Sequence, residues 1–157
     1  MTARGAGLGK AALVAVAAIA VDQASKAIVR GQIVPGERVD AFAGIEIVRV
    51  PNSGIAFGLL DDAGSVVLVI AALAFASLLA MFLLSAGRPR LWLPIGLLAG
   101  GALGNLIDRV RDGYVTDFID PPRWPAFNVA DIEITLGVIL LVLLYAFGDE
   151  PPAPEDG

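Results

Sequence analysis

The residues able to do chemistry in this sequence are carboxylates, because the chain has no histidine and no cysteine. That excludes a Ser-His-Asp hydrolase, a histidine-ligated zinc peptidase, thiol catalysis, cysteine metal sites and a disulfide framework. The lysines are Lys10 and Lys26 alone. A Ser25–Lys26 dyad fails because adjacent residues on a helix do not face each other. What remains is two carboxylates sharing a proton. Like charges held close split their ionisation, leaving one charged base and one neutral acid. Asp117 and Asp131 are the acids that the stretch between the last two apolar segments could bring together. Each also has a plainer reading. Asp117 reads as a solvated loop residue. Asp131 reads as the third residue of a helix whose N-cap is Asn128, where the helix dipole favours a carboxylate. Spacing alone leaves both readings open.

Other polar residues sit where an apolar chain can least tolerate them. Asp22 and Lys26 are spaced i, i+4 and can pair on one helix face, a structural role that neutralises both. Asn105, Asp108 and Arg109 form a polar stripe after the small residues Ala99-Gly100-Gly101-Ala102 and Gly104. Small residues let helices approach closely, so the stripe reads either as packing plus an ion pair or as a scaffold for a site. Asn52-Ser53-Gly54 reads as a turn in which the backbone could approach an extended peptide.

The elements that must position these groups are membrane spans. The chain has 157 residues, 57% hydrophobic and 17% charged, against roughly 25% charged in an ordinary soluble domain. Folded in water it would expose large apolar patches. Four segments, about 11–29, 64–85, 91–107 and 129–147, are long enough at 1.5 Å per residue to cross about 30 Å of hydrocarbon. Arg4 and Lys10 ahead of the first also resemble a signal peptide's basic start, but no small-x-small site follows and three more spans do, so the segment is expected to remain. The expected fold is an all-α membrane protein with a small β element, one domain over 1–147. Arg4, Lys10, Arg88 and Arg90 favour cytoplasmic termini. Ile45 to Val50 is rich in β-branched residues, and Pro35-Gly36 reads as a turn, so residues 31–62 are expected to hold an antiparallel sheet at the outer face. Residues 110–128 read as a loop, with Asp112-Gly113 as a turn. The tail 148–157 is acidic, proline-rich and expected to be disordered. The net charge of −5 gives no basic footprint for nucleic acid. A proton- or ion-coupled transporter is the rival class. It predicts acids spread through the bilayer depth, whereas here they cluster at the outer ends of spans.

Four blocks in order resemble the lipoprotein signal peptidase (signal peptidase II) family: Asp22-Gln23-Ala24-Ser25-Lys26; Asn52-Ser53-Gly54-Ile55-Ala56-Phe57-Gly58; Gly104-Asn105-Leu106-Ile107-Asp108-Arg109 continuing to Val115-Thr116-Asp117-Phe118; and Pro125-Ala126-Phe127-Asn128-Val129-Ala130-Asp131. The resemblance implies four transmembrane helices with a periplasmic-side β-cradle in the bacterial inner membrane. It implies an aspartic endopeptidase, acting as a monomer with no metal or cofactor, that cuts diacylglyceryl-modified prolipoproteins before the lipidated cysteine. It puts the catalytic aspartates at Asp117 and Asp131. Asn52, Gly54, Asn105, Arg109, Asn128 and Ala130 would line the site and meet substrate. Asp22, Lys26 and Asp108 would be structural. Ile55, Ile132 and Glu133 depart from the family pattern, and Glu133 is expected to face away from the aspartate pair.

Overall fold

The computed structural model describes residues 3–53 and 90–147. The expected span 64–85, Gly54 and Ile55 lie outside them. The chain starts as a long helix, α1 (Ala3–Gln32). Its alanine-rich sequence favours helix, and no proline interrupts it before Pro35. Pro35 and Gly36 then make the expected turn. Gly36 has φ 90, and the Glu37 N–H closes the turn on the Val34 carbonyl at 2.9 Å.

Two strands follow, β1 (Arg38–Phe42) and β2 (Ile45–Asn52). They are joined through Ala43 and Gly44, both with positive φ, the backbone twist that a tight hairpin requires. The next helix among the described residues is α2 (Trp92–Asp112). It runs past the expected end at 107, so Asn105, Asp108 and Arg109 lie on the helix. Asp112-Gly113 is the helix end, where the Gly113 N–H returns to the Arg109 carbonyl at 3.0 Å. The stretch read as a loop then supplies a third strand, β3 (Val115–Asp120). It pairs with β2 in an antiparallel sheet of order β1-β2-β3. The last described helix, α3 (Val129–Phe147), has the expected bounds.

The helices meet through glycines. A Cβ on Gly96 would stand 2.6 Å from the Val14 Cβ, and one on Gly104 would stand 2.5 Å from Asp22 Oδ2. Gly100 meets Ala18 in the same way. These three pack α2 on α1. Gly101, whose Cβ would be 2.5 Å from the Ala130 carbonyl oxygen, packs α2 on α3. Without side chains at these crossings the backbones approach closely enough for polar groups to join across them. The outward faces stay apolar: Leu13, Val16, Val21 and Ile28 on α1, and Leu136, Ile139, Val142 and Leu143 on α3, are exposed. Among the described residues two helices, Gly5–Gln32 and Val129–Phe147, are long and apolar enough to cross a membrane.

Candidate active site

Asp117 and Asp131 come together from different elements through one asparagine. Asp117 lies on β3, opposite Val50 of β2, and is 3% exposed. Asp131 lies in the first turn of α3 and is half-buried. Asn128 Oδ1 accepts the Asp131 backbone N–H at 3.1 Å, and the Asn128 backbone N–H donates to Asp131 Oδ2 at 3.2 Å. This is the reciprocal cap expected from the sequence. It turns the other end of the Asn128 amide outward, and Nδ2 donates to Asp117 Oδ1 at 2.7 Å. The cap and the approach of the two acids therefore come from one side chain and are not competing explanations.

Each carboxylate has a second amide. Asn52, two register positions along β2 from Val50, donates to Asp117 Oδ2 at 2.8 Å. Asn105 on α2 donates to Asp131 Oδ1 at 3.0 Å. Burial pushes the Asp117 carboxyl above its ordinary range, and the charge of Asp131 adds to that. The hydrogen bonds from Asn52 and Asn128, and the charge of Lys26, oppose the shift without cancelling it. A carboxyl that keeps its proton longer beside a second carboxylate is the arrangement that acid–base work on a water molecule requires.

Behind the pair lies a second layer, fully buried. Asp22, Lys26 and Asp108 have 0% exposure. Lys26 Nζ is 2.9 Å from Asp22 Oδ2 and 3.2 Å from Asp108 Oδ2. The i, i+4 pair expected on α1 thus extends to Asp108 across two helices, and Asp108 Oδ1 in turn lies 3.4 Å from Arg111 and 3.6 Å from Arg30. The remaining bonds of this cluster reach the site. Asp22 Oδ1 accepts the Ala130 N–H at 3.1 Å, and Asp108 Oδ2 accepts the Thr116 N–H at 3.2 Å. Those two residues immediately precede Asp131 and Asp117. Lys26 gives its third bond to Asn105 Oδ1 at 2.8 Å. Gln23 completes the layer, donating to Asp108 Oδ1 at 3.0 Å and to the Gly104 carbonyl at 3.1 Å. Buried charges persist when each is paired and hydrogen-bonded, and this cluster meets both conditions.

Of the other residues singled out, Asn52, Asn105 and Asn128 touch the pair. Ala130 is fully buried with its N–H taken by Asp22, so it stands behind Asp131. Arg109 is half-buried, 3.4 Å from the Asn105 carbonyl, and its buried Nε has no hydrogen-bond partner among the described residues. Glu133, two residues past Asp131 on α3, is buried, and its Oε2 has no hydrogen-bond partner among the described residues. Sequence reasoning gave no role to Thr116 or Gln23. Their positions inside the quoted blocks were the only signal.

Long apolar helices with outward apolar faces and buried polar groups at their crossings are the build of a membrane protein. A structural match agrees: a bacterial membrane enzyme solved by the in meso method at 1.9 Å superposes with a TM-score of 0.81 at 31% identity, covering 90% of this chain and 96% of that one. A second such enzyme, at 2.3 Å, matches with a TM-score of 0.77 at 30% identity, covering 96% and 94%. The family model described as Signal peptidase (SPase) II matches residues 14–147. The lipoprotein signal peptidase of Moorella thermoacetica is 41% identical over 90% of this chain and 97% of its own length. That of Nitratidesulfovibrio vulgaris is 38% identical over 96% and 93%. The chain belongs to the signal peptidase II family and is a peptidase by that membership.

Proposed function

We propose that this chain is an intramembrane aspartic endopeptidase that removes the signal peptide from diacylglyceryl-modified prolipoproteins, cutting before the lipidated cysteine. The observation that carries the reading is the joint hold of Asn128 on Asp117 and Asp131. One aspartate, as base, takes a proton from water while the water oxygen attacks the scissile carbonyl carbon. The other, protonated, gives its proton to the carbonyl oxygen. The resulting gem-diol collapses, the C–N bond breaks, and the proton held by the base goes to the leaving amine. The products are a signal peptide with a free carboxyl terminus and a lipidated cysteine with a free amino group.

In this reading Asn52, Asn105 and Asn128 hold the acids, and Arg109, with donors to spare, meets a carbonyl of the substrate. Gly54 lets the peptide backbone pass, and Ala130 lines the wall behind it. The chain is one membrane domain over 1–147 followed by the tail 148–157. It has four spans, the β-cradle and the aspartates toward the outer face of the inner membrane, and both termini in the cytoplasm, and it works as a monomer. Its acids gather at one end of the helices, as a surface-proximal cut requires and a transport path through the bilayer does not. The test is cleavage of a diacylglyceryl-modified prolipoprotein by the purified protein, with the product read by mass. A new amino terminus at the lipidated cysteine is expected. Absence of cleavage across several such precursors would overturn the reading.

A further inference from the structure

Lys26 is buried on α1 and touches neither aspartate of the pair, yet its bonds determine how one of them is held. An ammonium has three donors and no acceptor. Two of those of Lys26 go to Asp22 Oδ2 and Asp108 Oδ2. The third goes to Asn105 Oδ1 at 2.8 Å, and Asn105 Nδ2 then donates to Asp131 Oδ1 at 3.0 Å. Rotating that amide end for end would set an NH2 group against the ammonium and an oxygen against a carboxylate, so Lys26 excludes the flipped state. Asp131 also accepts the Asn128 backbone N–H and stands in the first turn of α3, where the dipole favours negative charge. Asp117 is on a strand, 3% exposed, held by the neutral side-chain amides of Asn52 and Asn128.

We infer that Lys26 is a positioning residue which, through the Asn105 amide, keeps the charge of the aspartate pair on Asp131. Asp131 then takes the proton of the attacking water and later passes it to the leaving amine. Asp117 gives its proton to the carbonyl oxygen and recovers one when the gem-diol collapses. The burial that raises the Asp117 carboxyl points the same way and outweighs the direct pull of the Lys26 charge, which lowers it. This inference rests on the proposed peptidase reading and adds to it which aspartate does what. The charged and titratable groups around Asp131 are Asp22 and Lys26 on α1, Asp108 and Arg109 on α2, Asp117 on β3 and Glu133 on its own helix.

The test is the pH dependence of kcat/KM, whose acid limb reports protonation of the base in the free enzyme. Removing Lys26 alone would leave buried Asp22 without its ammonium and buried Asp108 with only the longer contacts to Arg30 and Arg111, and could unfold the chain. It is therefore removed within the uncharged set Asp22→Asn, Lys26→Met, Asp108→Asn. Asn105→Ala, which leaves all three charges in place, cuts the relay independently. The acid limb is expected to move to higher pH by about one unit in each, because one donor to the charged form is gone. Adding Asn105→Ala to the uncharged set should move it no further. An unmoved limb in Asn105→Ala, or an uncharged set that loses only thermal stability, would overturn the inference, and so would shifts that add. If wild type does not cut, or Asp131→Asn cuts normally, the peptidase reading has failed. If wild type cuts, Asp131→Asn does not and the limb stays put, only the role of Lys26 has failed.

Discussion

Two groups of carboxylates lie one amide apart in this protein and have opposite surroundings. Asp22 and Asp108 face an ammonium in a site with no solvent exposure. Asp117 and Asp131 receive hydrogen bonds only from neutral groups among the described residues: the amides of Asn52, Asn105 and Asn128 and one backbone N–H. A carboxylate on an ammonium is held ionised, and losing either partner strands a buried charge. A carboxylate on amides keeps its framework whether or not it carries a proton. The same side chain thus serves as a strut in one layer and can exchange protons in the next, according to the charge of its partner. The two layers are connected, since the struts hold the backbone N–H groups of Thr116 and Ala130, next to Asp117 and Asp131.

The largest effect is expected at Lys26. Lys26→Met alone should destabilise the protein by about 3–5 kcal/mol, because it strands buried Asp22 and leaves buried Asp108 with only the longer contacts to Arg30 and Arg111. Thermal unfolding in detergent checks this, and a loss below about 1 kcal/mol would mean that the cluster is not dry. Gly104→Ala comes next. Its new Cβ would stand 2.5 Å from Asp22 Oδ2, so the α1–α2 crossing must open, at a cost of about 1–3 kcal/mol. Asn128→Ala removes a cap worth about 1 kcal/mol and frees both aspartates. Its signature is a modest fall in Tm with a fall in cleavage on the order of 10²-fold, as expected when reacting groups are misplaced.

A pH series sharpens the same contrast. The folded Asp117 carboxyl sits above its ordinary value of 3.8. Its contribution to stability is therefore present below that value and lost as pH rises through the raised folded one. Asp117→Asn should flatten the dependence of Tm on pH across that window and be at least as stable as wild type above it. The smallest effect is expected at the sheet surface. Arg38 bridges Glu46 and Asp120 but is half exposed, and Arg38→Ala should cost under about 1 kcal/mol and become less costly in high salt.

Much of this architecture is legible in the order of the residues. The helix Val129–Phe147 can be bounded because an asparagine cap, a first-turn acid and a long apolar run coincide there. Elimination reaches carboxylates as a class, because the chain has no histidine or cysteine, and the choice of Asp117 and Asp131 among them is what the family resemblance implies. The strand Val115–Asp120 is not legible. It follows Asp112-Gly113, which punctuates like a turn and is the end of a helix, and its pairing with β2 is a tertiary event with no local signature. Nor can spacing tell that Asp22 reaches Ala130 or that Lys26 reaches Asn105. Those bonds depend on how closely Gly100, Gly101 and Gly104 let three helices approach. For Asp131 the choice between cap and reactive group is itself misleading, because one asparagine supports both.

The central claim is that Asp117 and Asp131 react while Asp22 and Asp108 support. The measurement that tests it most directly is cleavage of a diacylglyceryl-modified prolipoprotein by wild type, Asp117→Asn and Asp131→Asn, with Tm recorded for each. The account predicts that both variants lose at least about 10³-fold in rate, with Asp117→Asn unfolding no earlier than wild type and Asp131→Asn, which gives up a first-turn charge, losing no more than about 1 kcal/mol. Near-normal cleavage by either folded variant, or losses that only track unfolding, would contradict it.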